Sequence, residues 1–173
     1  MLTDEKKKMT LEEFMKLPYE RAELINGIAY INEPAPSYGH QRSVADIAAQ
    51  IFLHLTKAHN GEVLLAPMDV TLGEVVVQPD LLFIDNTNLG IISEQGLHGA
   101  PDVTFEIISP TSVYRDTKEK FDLYEQYGVK EYFIVFPEDK TVFKYSLINN
   151  EYEEQYKAQG FINSEVIGLE FNF

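Results

Sequence analysis

The order of helical and extended patterns along the chain predicts a mixed α/β or α+β domain with one central sheet flanked by helices. An N-terminal helix and a hairpin are followed by a long helix, several apolar strands, a second amphipathic helix and further strands. Asn26–Gly27 stands between two apolar arms, which is the strongest short-range signal for a two-residue hairpin. No segment repeats along the chain, so these elements are expected to share a single sheet.

Local signals mark where the helices begin and end. Thr10 and Glu13 have the spacing of a capping box at the start of a short helix. Apolar residues at helical spacing, Phe52 among them, predict a long helix over about residues 38–59 with one buried face. The segment RDTKEKFDLYEQYG predicts a second helix ending at Gly128, because glycine readily adopts the left-handed conformation that closes a helix.

The strand candidates are short apolar runs bounded by turn residues. They are EVLLAPMDVTL, VVVQPDLLFID, DVTFEII, EYFIVF, KTVFKYSLI with EYEEQYKA as a second hairpin, and the closing VIGLEFNF. Residues 1–9 are largely polar and are expected to form a flexible N-terminus, whereas residues 10–173 form one domain.

Composition limits the classes of function. The chain has 173 residues, no cysteine, and a net charge of -14 from 28 acidic and 14 basic side chains. The lack of cysteine and of an N-terminal signal pattern predicts a cytoplasmic location, and no apolar run is long enough for a membrane span. The acidic balance argues against a general nucleic-acid coat protein, since phosphate binding needs a cationic surface.

Glu106 is the first candidate site residue, because it interrupts the apolar strand DVTFEIISP. A carboxylate in a buried strand needs a counter-charge, a proton or a cation. Asp80 lies in another apolar run, VVVQPDLLFI, and carboxylates on adjacent strands about 4.8 Å apart can converge on Mg²⁺ or Mn²⁺. Asp102 is excluded, because four residues of extended chain place it about 13 Å from Glu106.

The helix after Glu106 supplies a candidate cation. With Asp116 at 0°, the apolar residues centre near about 50° and Lys120 falls at about 40°, within the same face. Lys118 falls at about 200°, where it can pair with Asp122 one turn later in solvent. An inward-facing lysine needs an anionic partner, which Glu106 and Asp80 would provide.

Several segments together resemble the Uma-type putative restriction-endonuclease-like family, within the PD-(D/E)XK nuclease superfamily. They extend from about Thr10 to the C-terminus and are AELINGIAY, GHQR, VVVQPDLLFI, PDVTFEIISPTS, RDTKEK with LYEQYGVKEYFIV, and GLEF. The resemblance implies a restriction-endonuclease-like fold with a metal-dependent phosphodiesterase site that hydrolyses DNA. It also implies a homodimer, since nuclease folds of this kind often act as dimers.

The resemblance also assigns roles to individual residues. Asp80, Glu106 and the backbone carbonyl of Ile107 would hold a Mg²⁺ (or Mn²⁺) ion. The superfamily motif has a lysine two residues after the acid, but this chain has Ile108 there. The following helix would then supply the lysine, and its periodicity selects Lys120 to orient the attacking water or stabilise developing charge.

Glu23 and His40 are additional catalytic candidates. Glu23 precedes the Asn26–Gly27 turn, and His40 lies in the first turn of the long helix, where it could contact a phosphate or the water. Ordinary structural interpretations also exist: a hydrogen bond at a helix start for His40, a strand carboxylate at a partly wet sheet face for Glu106, and a side chain that snorkels from the helix edge for Lys120.

Two alternatives to an active nuclease remain open. A catalytically inactive module with the same fold, acting in binding or assembly, is favoured by the net charge of -14 and by Ile108. A hydrolase that uses two carboxylates without a metal, as in glycoside hydrolysis, is disfavoured because an inward lysine is not part of that arrangement.

Overall fold

The computed structural model describes residues 8–19, 21–31 and 35–173. Its α-helices are α1 Leu11–Phe14, α2 Tyr38–Ala58 and α3 Lys120–Tyr127. A 3₁₀ turn covers Asn86–Ile91, and one π turn, Arg115–Glu119, leads directly into α3. Among these residues, no helix is both long and apolar enough to span a bilayer.

The strands form two six-stranded sheets and a ribbon. In chain order they are β1 Ala22–Ile25, β2 Ile28–Ile31, β3 Gly61–Leu65, β4 Val70–Leu72, β5 Val75–Val77, β6 Leu81–Asp85, β7 Ile92–Ser93, β8 Gly96–His98, β9 Val103–Ile107, β10 Glu131–Phe136, β11 Thr141–Ile148, β12 Glu151–Gln159, β13 Phe161–Ser164 and β14 Leu169–Asn172. The main sheet has the order β12-β11-β10-β9-β6-β3, the side sheet β2-β1-β5-β4-β8-β7, and β13 pairs with β14.

The prediction of a mixed α+β domain with a central sheet flanked by helices is confirmed, but the structure has a second six-stranded sheet that was not predicted. The run VVVQPDLLFID divides into β5 in the side sheet and β6 in the main sheet. Pro79 lies at the break, and proline has no N–H to donate to a ladder. EVLLAPMDVTL divides in the same way into β3 and β4. Asp80 therefore lies where the chain crosses between sheets.

The main sheet carries a core on each face. Phe105 and Phe133 stack on the face that packs against α2, with ring centroids 4.6 Å apart. Tyr132 and Ile134 alternate with Phe133 and face α3 and the side sheet. Glu106 is in register with Ile134, so its side chain lies on the α3 face.

Several local predictions are confirmed. Asn26 and Gly27 have φ values of 53° and 78°, as the tight β1–β2 turn requires. Thr10 and Glu13 form the capping box. Phe52, however, is 48% exposed and does not join the buried face of α2. The predicted flexible N-terminus falls mostly on residues 1–7, which lie outside the described residues.

A group of polar side chains joins the β13–β14 ribbon to the main sheet. This Lys144 cluster consists of Lys144, Glu131, Ser164 and Glu165. Lys144 Nζ lies 3.0 Å from Glu131 Oε1 and also contacts the Glu165 carboxylate. Ser164 Oγ and the Glu165 N–H donate hydrogen bonds to Glu131. Lys144 and Glu131 are buried. In the strand register, both occupy positions whose side chains point to the face opposite Glu106, so they face α2 and not α3.

Candidate active site

A cavity of about 400 Å³ lies where the two sheets meet. Its walls include all the residues predicted from sequence to form the site: Glu23, His40, Asp80, Glu106, Ile107 and Lys120. They come from β1, the first turn of α2, the crossover before β6, the end of β9 and the start of α3. The structure therefore brings together side chains that are up to 97 positions apart in the sequence.

Lys120 is the centre of this group. Its side chain is 3% exposed, which confirms its predicted inward orientation, whereas Lys118 pairs with Asp122 at 3.0 Å in solvent. Lys120 Nζ lies 2.7 Å from Glu23 Oε1, 2.9 Å from Glu106 Oε1 and 3.6 Å from Asp116 Oδ1. Burial alone would lower the lysine pKa, but Glu106, Glu23 and Asp116 together raise it well above its usual value. Lys120 is therefore a cation at neutral pH and not a base.

Glu106 lies on the floor of the cavity. Its Oε1 accepts hydrogen bonds from Lys120 and, at 2.7 Å, from the Tyr124 hydroxyl. Burial raises the pKa of Glu106 well above its ordinary value, and the Lys120 charge opposes that rise. Asp116, Asp80 and Glu23 raise this pKa further, so the Glu106 carboxylate feels an excess of negative charge.

Asp80 and His40 form the second part of the site. Ser37 caps α2 and accepts a hydrogen bond from the His40 N–H, which fixes the histidine in the first helical turn. His40 Nε2 lies 3.2 Å from Asp80 Oδ2, and the same oxygen accepts a 2.8 Å hydrogen bond from the Ile107 N–H. Burial by itself would lower the pKa of His40, but the hydrogen bond and charge of Asp80 raise it above its usual value.

The π turn explains why Arg115 also faces this site. The Lys120 N–H donates to the Arg115 carbonyl five residues earlier. In an α-helix, residues five apart differ by about 140° and could not face one carboxylate, whereas the wider i→i+5 turn brings them closer into line. Arg115 Nε accordingly lies 3.2 Å from Glu23 Oε2, while Lys120 binds Oε1 of the same side chain.

Comparison with known proteins identifies the family of this chain. Residues 11–172 match the model of the Uma2 family, which is described as putative restriction endonuclease. The chain belongs to the Uma2 family. Membership supports a nuclease-like function and confirms the resemblance inferred from the sequence.

A solved structure shows the same fold. The crystal structure of a putative nuclease of the DUF820 group from Anabaena variabilis aligns with a TM-score of 0.78 at 21% identity. The alignment covers 95% of this chain and 94% of that one, so the restriction-endonuclease-like fold extends over nearly the whole chain. No curated protein matches the chain.

In this Uma2 chain, Lys120 lies beside Glu106, and the strand position two residues after Glu106 is Ile108. Ile108 is buried and packs in the core with Tyr132 and Leu123. The Lys120 ammonium reaches Glu106 from the helix instead. Asp102 is elsewhere, as predicted: it bonds to Asn88 and the Asp85 N–H and pairs with Lys130.

Sequence reasoning missed three residues of the Uma2 site. Asp116 is one helical turn before Lys120, which was an available signal. Arg115 would face away in a regular α-helix, so only the π turn reveals it. Tyr124 belongs to the apolar core, and its hydroxyl donates a hydrogen bond to Glu106.

The charges of the site do not balance. We name as the Lys120 cluster the carboxylates Glu23, Asp80, Glu106 and Asp116 with Lys120, Arg115 and His40. With every acid ionised and His40 neutral, the four carboxylates exceed the two permanent cations by two negative charges. Placing such an excess in a poorly solvated site costs free energy unless a proton or a cation compensates it.

The donor chemistry fits a hard divalent cation. Carboxylate and carbonyl oxygens are the ligands that Mg²⁺ and Mn²⁺ prefer, and a charge of two would neutralise the excess. In the described part of the chain, no three His, Asp or Glu side chains are already arranged as the ligands of one ion. Glu23 and Glu106 are instead directed to Lys120, and Asp80 to His40 and Ile107.

Proposed function

We propose that this protein is an endonuclease that hydrolyses DNA phosphodiester bonds with Mg²⁺ or Mn²⁺. The observation that carries the proposal is the buried Lys120 among three carboxylates on the wall of a cavity that Asp80 and His40 also line. Restriction-endonuclease-like proteins generally use divalent ions, and the donor set here suits one. Asp80, Glu106 and the Ile107 carbonyl would hold it.

The metal would supply Lewis acidity toward the scissile phosphate and lower the pKa of bound water. The chain's own cations do the rest. Lys120 stays protonated and donates hydrogen bonds, so it orients the attacking water or stabilises charge developing on the phosphate. Glu23 fixes the lysine, since its carboxylate also contacts Arg115. His40 is held by Asp80, and its raised pKa suits it to contact a phosphate oxygen or to donate a proton.

DNA cleavage by the purified protein tests this proposal. Single- and double-stranded DNA are incubated with Mg²⁺, Mn²⁺ or EDTA, using wild type, Asp80→Ala and Lys120→Ala. Loss of either group should lower the cleavage rate at least about a hundredfold. Lys118→Ala and Asp122→Ala, on the exposed face of the same helical segment, should cleave like wild type.

Equal cleavage by all variants would overturn the assignment and indicate a contaminant or another site. A wild type that binds a divalent ion yet cleaves no DNA would favour the second candidate, a catalytically inactive binding or assembly module. The net charge of -14 is the specific observation in favour of that module, because it opposes association with phosphate backbones.

We also propose a cytoplasmic homodimer, by analogy with nucleases of this fold. Size-exclusion chromatography with light scattering would give twice the monomer mass of 19.8 kDa. A monomeric mass across the micromolar range would contradict the dimer.

A further inference from the structure

Asp116 is a buried carboxylate without an assigned role. The residue is 2% exposed, and its Oδ1 has no hydrogen-bond partner. A buried polar atom without a partner costs free energy, so it calls for a physical explanation. Burial raises the pKa of Asp116, the Lys120 charge and Ser112 oppose that rise, and the residue lines the cavity.

The nearest cation to that free oxygen is Lys120. An ammonium group donates three hydrogen bonds, and two are accounted for by Glu23 at 2.7 Å and Glu106 at 2.9 Å. Asp116 Oδ1 lies 3.6 Å from Nζ, slightly beyond hydrogen-bonding distance. Asp116 Oδ1 therefore lies beside the Lys120 ammonium without accepting a hydrogen bond.

Glu106 has two functions that conflict. It is a main partner of Lys120 and also, under the proposed function, a ligand of the divalent ion. A carboxylate that coordinates a metal ion is a weaker hydrogen-bond acceptor for an ammonium group. The metal ion and the ammonium also repel each other, since both are positive. Binding of the ion would thus weaken one of the two short bonds of a lysine that has almost no access to water.

We propose that Asp116 is a positioning residue, which accepts a hydrogen bond from the Lys120 ammonium when Glu106 binds the divalent ion. The inference rests on the proposed function. A movement of less than 1 Å converts the 3.6 Å contact into a hydrogen bond and keeps the ammonium in the cavity. The free oxygen costs stability in the metal-free protein and is satisfied in the metal-bound one. Asp116 thereby couples metal binding to the position of Lys120.

The test compares Asp116→Asn with Asp122→Asn, which alters an exposed acid six residues later in the same helical segment. Mg²⁺ binding is measured by isothermal titration calorimetry, and the ¹⁵N-labelled lysine ammonium signals are followed by NMR. In wild type, the protected Lys120 signal should persist at saturating Mg²⁺. In Asp116→Asn it should persist without Mg²⁺ and be lost with it, and Mg²⁺ affinity should fall about tenfold.

Each other outcome is decisive. Unchanged affinity and a protected Lys120 signal in Asp116→Asn would overturn the inference and leave the proposed function intact. Complete loss of Mg²⁺ binding would make Asp116 a ligand and would also overturn it. A wild type that binds no Mg²⁺ would overturn both. If Asp116→Asn does not fold, Asp116→Glu, which keeps the carboxylate, replaces it and should retain the protected signal with Mg²⁺.

Discussion

Two buried lysines lie on opposite faces of the main sheet, and they differ in what surrounds them. Lys144 joins Glu131 to Glu165, and none of the polar atoms of its cluster in the described residues is buried without a partner. Lys120 lies among three carboxylates, lines a cavity, and has unpartnered atoms of Asp116 and His40 as neighbours. A cluster in which every buried polar atom has a partner stabilises the fold. A cluster beside a cavity that keeps unpartnered polar atoms can bind a ligand there.

Replacement of each lysine should give the largest difference between the two clusters, in how Mg²⁺ affects the stability of the variant. Lys144→Met and Lys120→Met each leave buried carboxylates without their cation, which should lower the free energy of unfolding by about 3–5 kcal/mol. Mg²⁺ should restore stability to Lys120→Met more than it stabilises wild type, because the ion replaces the missing charge. It should not restore Lys144→Met. Urea denaturation with and without Mg²⁺ measures the free energy of unfolding of both variants. Equal stabilisation of the two by Mg²⁺ would contradict the proposed difference between the clusters.

Removal of one polar group from each cluster should change stability in opposite directions. Ser164→Ala removes a donor to Glu131 and an acceptor for the Ile167 N–H, which should cost about 1–3 kcal/mol. Glu106→Gln removes one excess charge and should stabilise the metal-free protein by about 1 kcal/mol while abolishing cleavage. Thermal unfolding in EDTA gives both values. Destabilisation of Glu106→Gln would mean that its bond to Lys120 outweighs the charge excess.

The smallest effect concerns acid at the Lys144 cluster. The hydrogen bond with Glu131 and the contact with Lys144 lower the pKa of Glu165 to about 2, while burial raises the pKa of Glu131. A carboxyl whose pKa is lowered in the folded state stabilises the protein above its ordinary pKa, and this contribution is lost as the pH falls through the lowered value.

Glu165→Gln should therefore be less stable than wild type near neutral pH, and the difference should shrink between about pH 4.5 and about pH 2. The carboxyl is largely exposed, so the effect should be modest. Urea denaturation at several pH values measures it. A difference that stays constant with pH would show that Glu165 acts through packing instead of charge.

The sequence was sufficient for features set by local chemistry. Helical periodicity placed Lys120 inward, and an interrupted apolar strand identified Glu106, because burial patterns repeat with the period of the element. The division into two sheets was not accessible, since the break at Pro79 looks like a pause within one strand. Arg115 was also inaccessible, because its orientation depends on a hydrogen bond shifted by one residue. Asp116 could have been found from its spacing to Lys120.

The π turn also determines how many cations reach Glu23. An i→i+5 turn contains one residue more than an α turn. A relative without that extra residue would rotate the position of Arg115 by about 100° and keep Lys120 unchanged. Such a relative would hold Glu23 with one cation instead of two. The number of residues in this short turn, more than their identity, thus sets whether one cation or two contact Glu23.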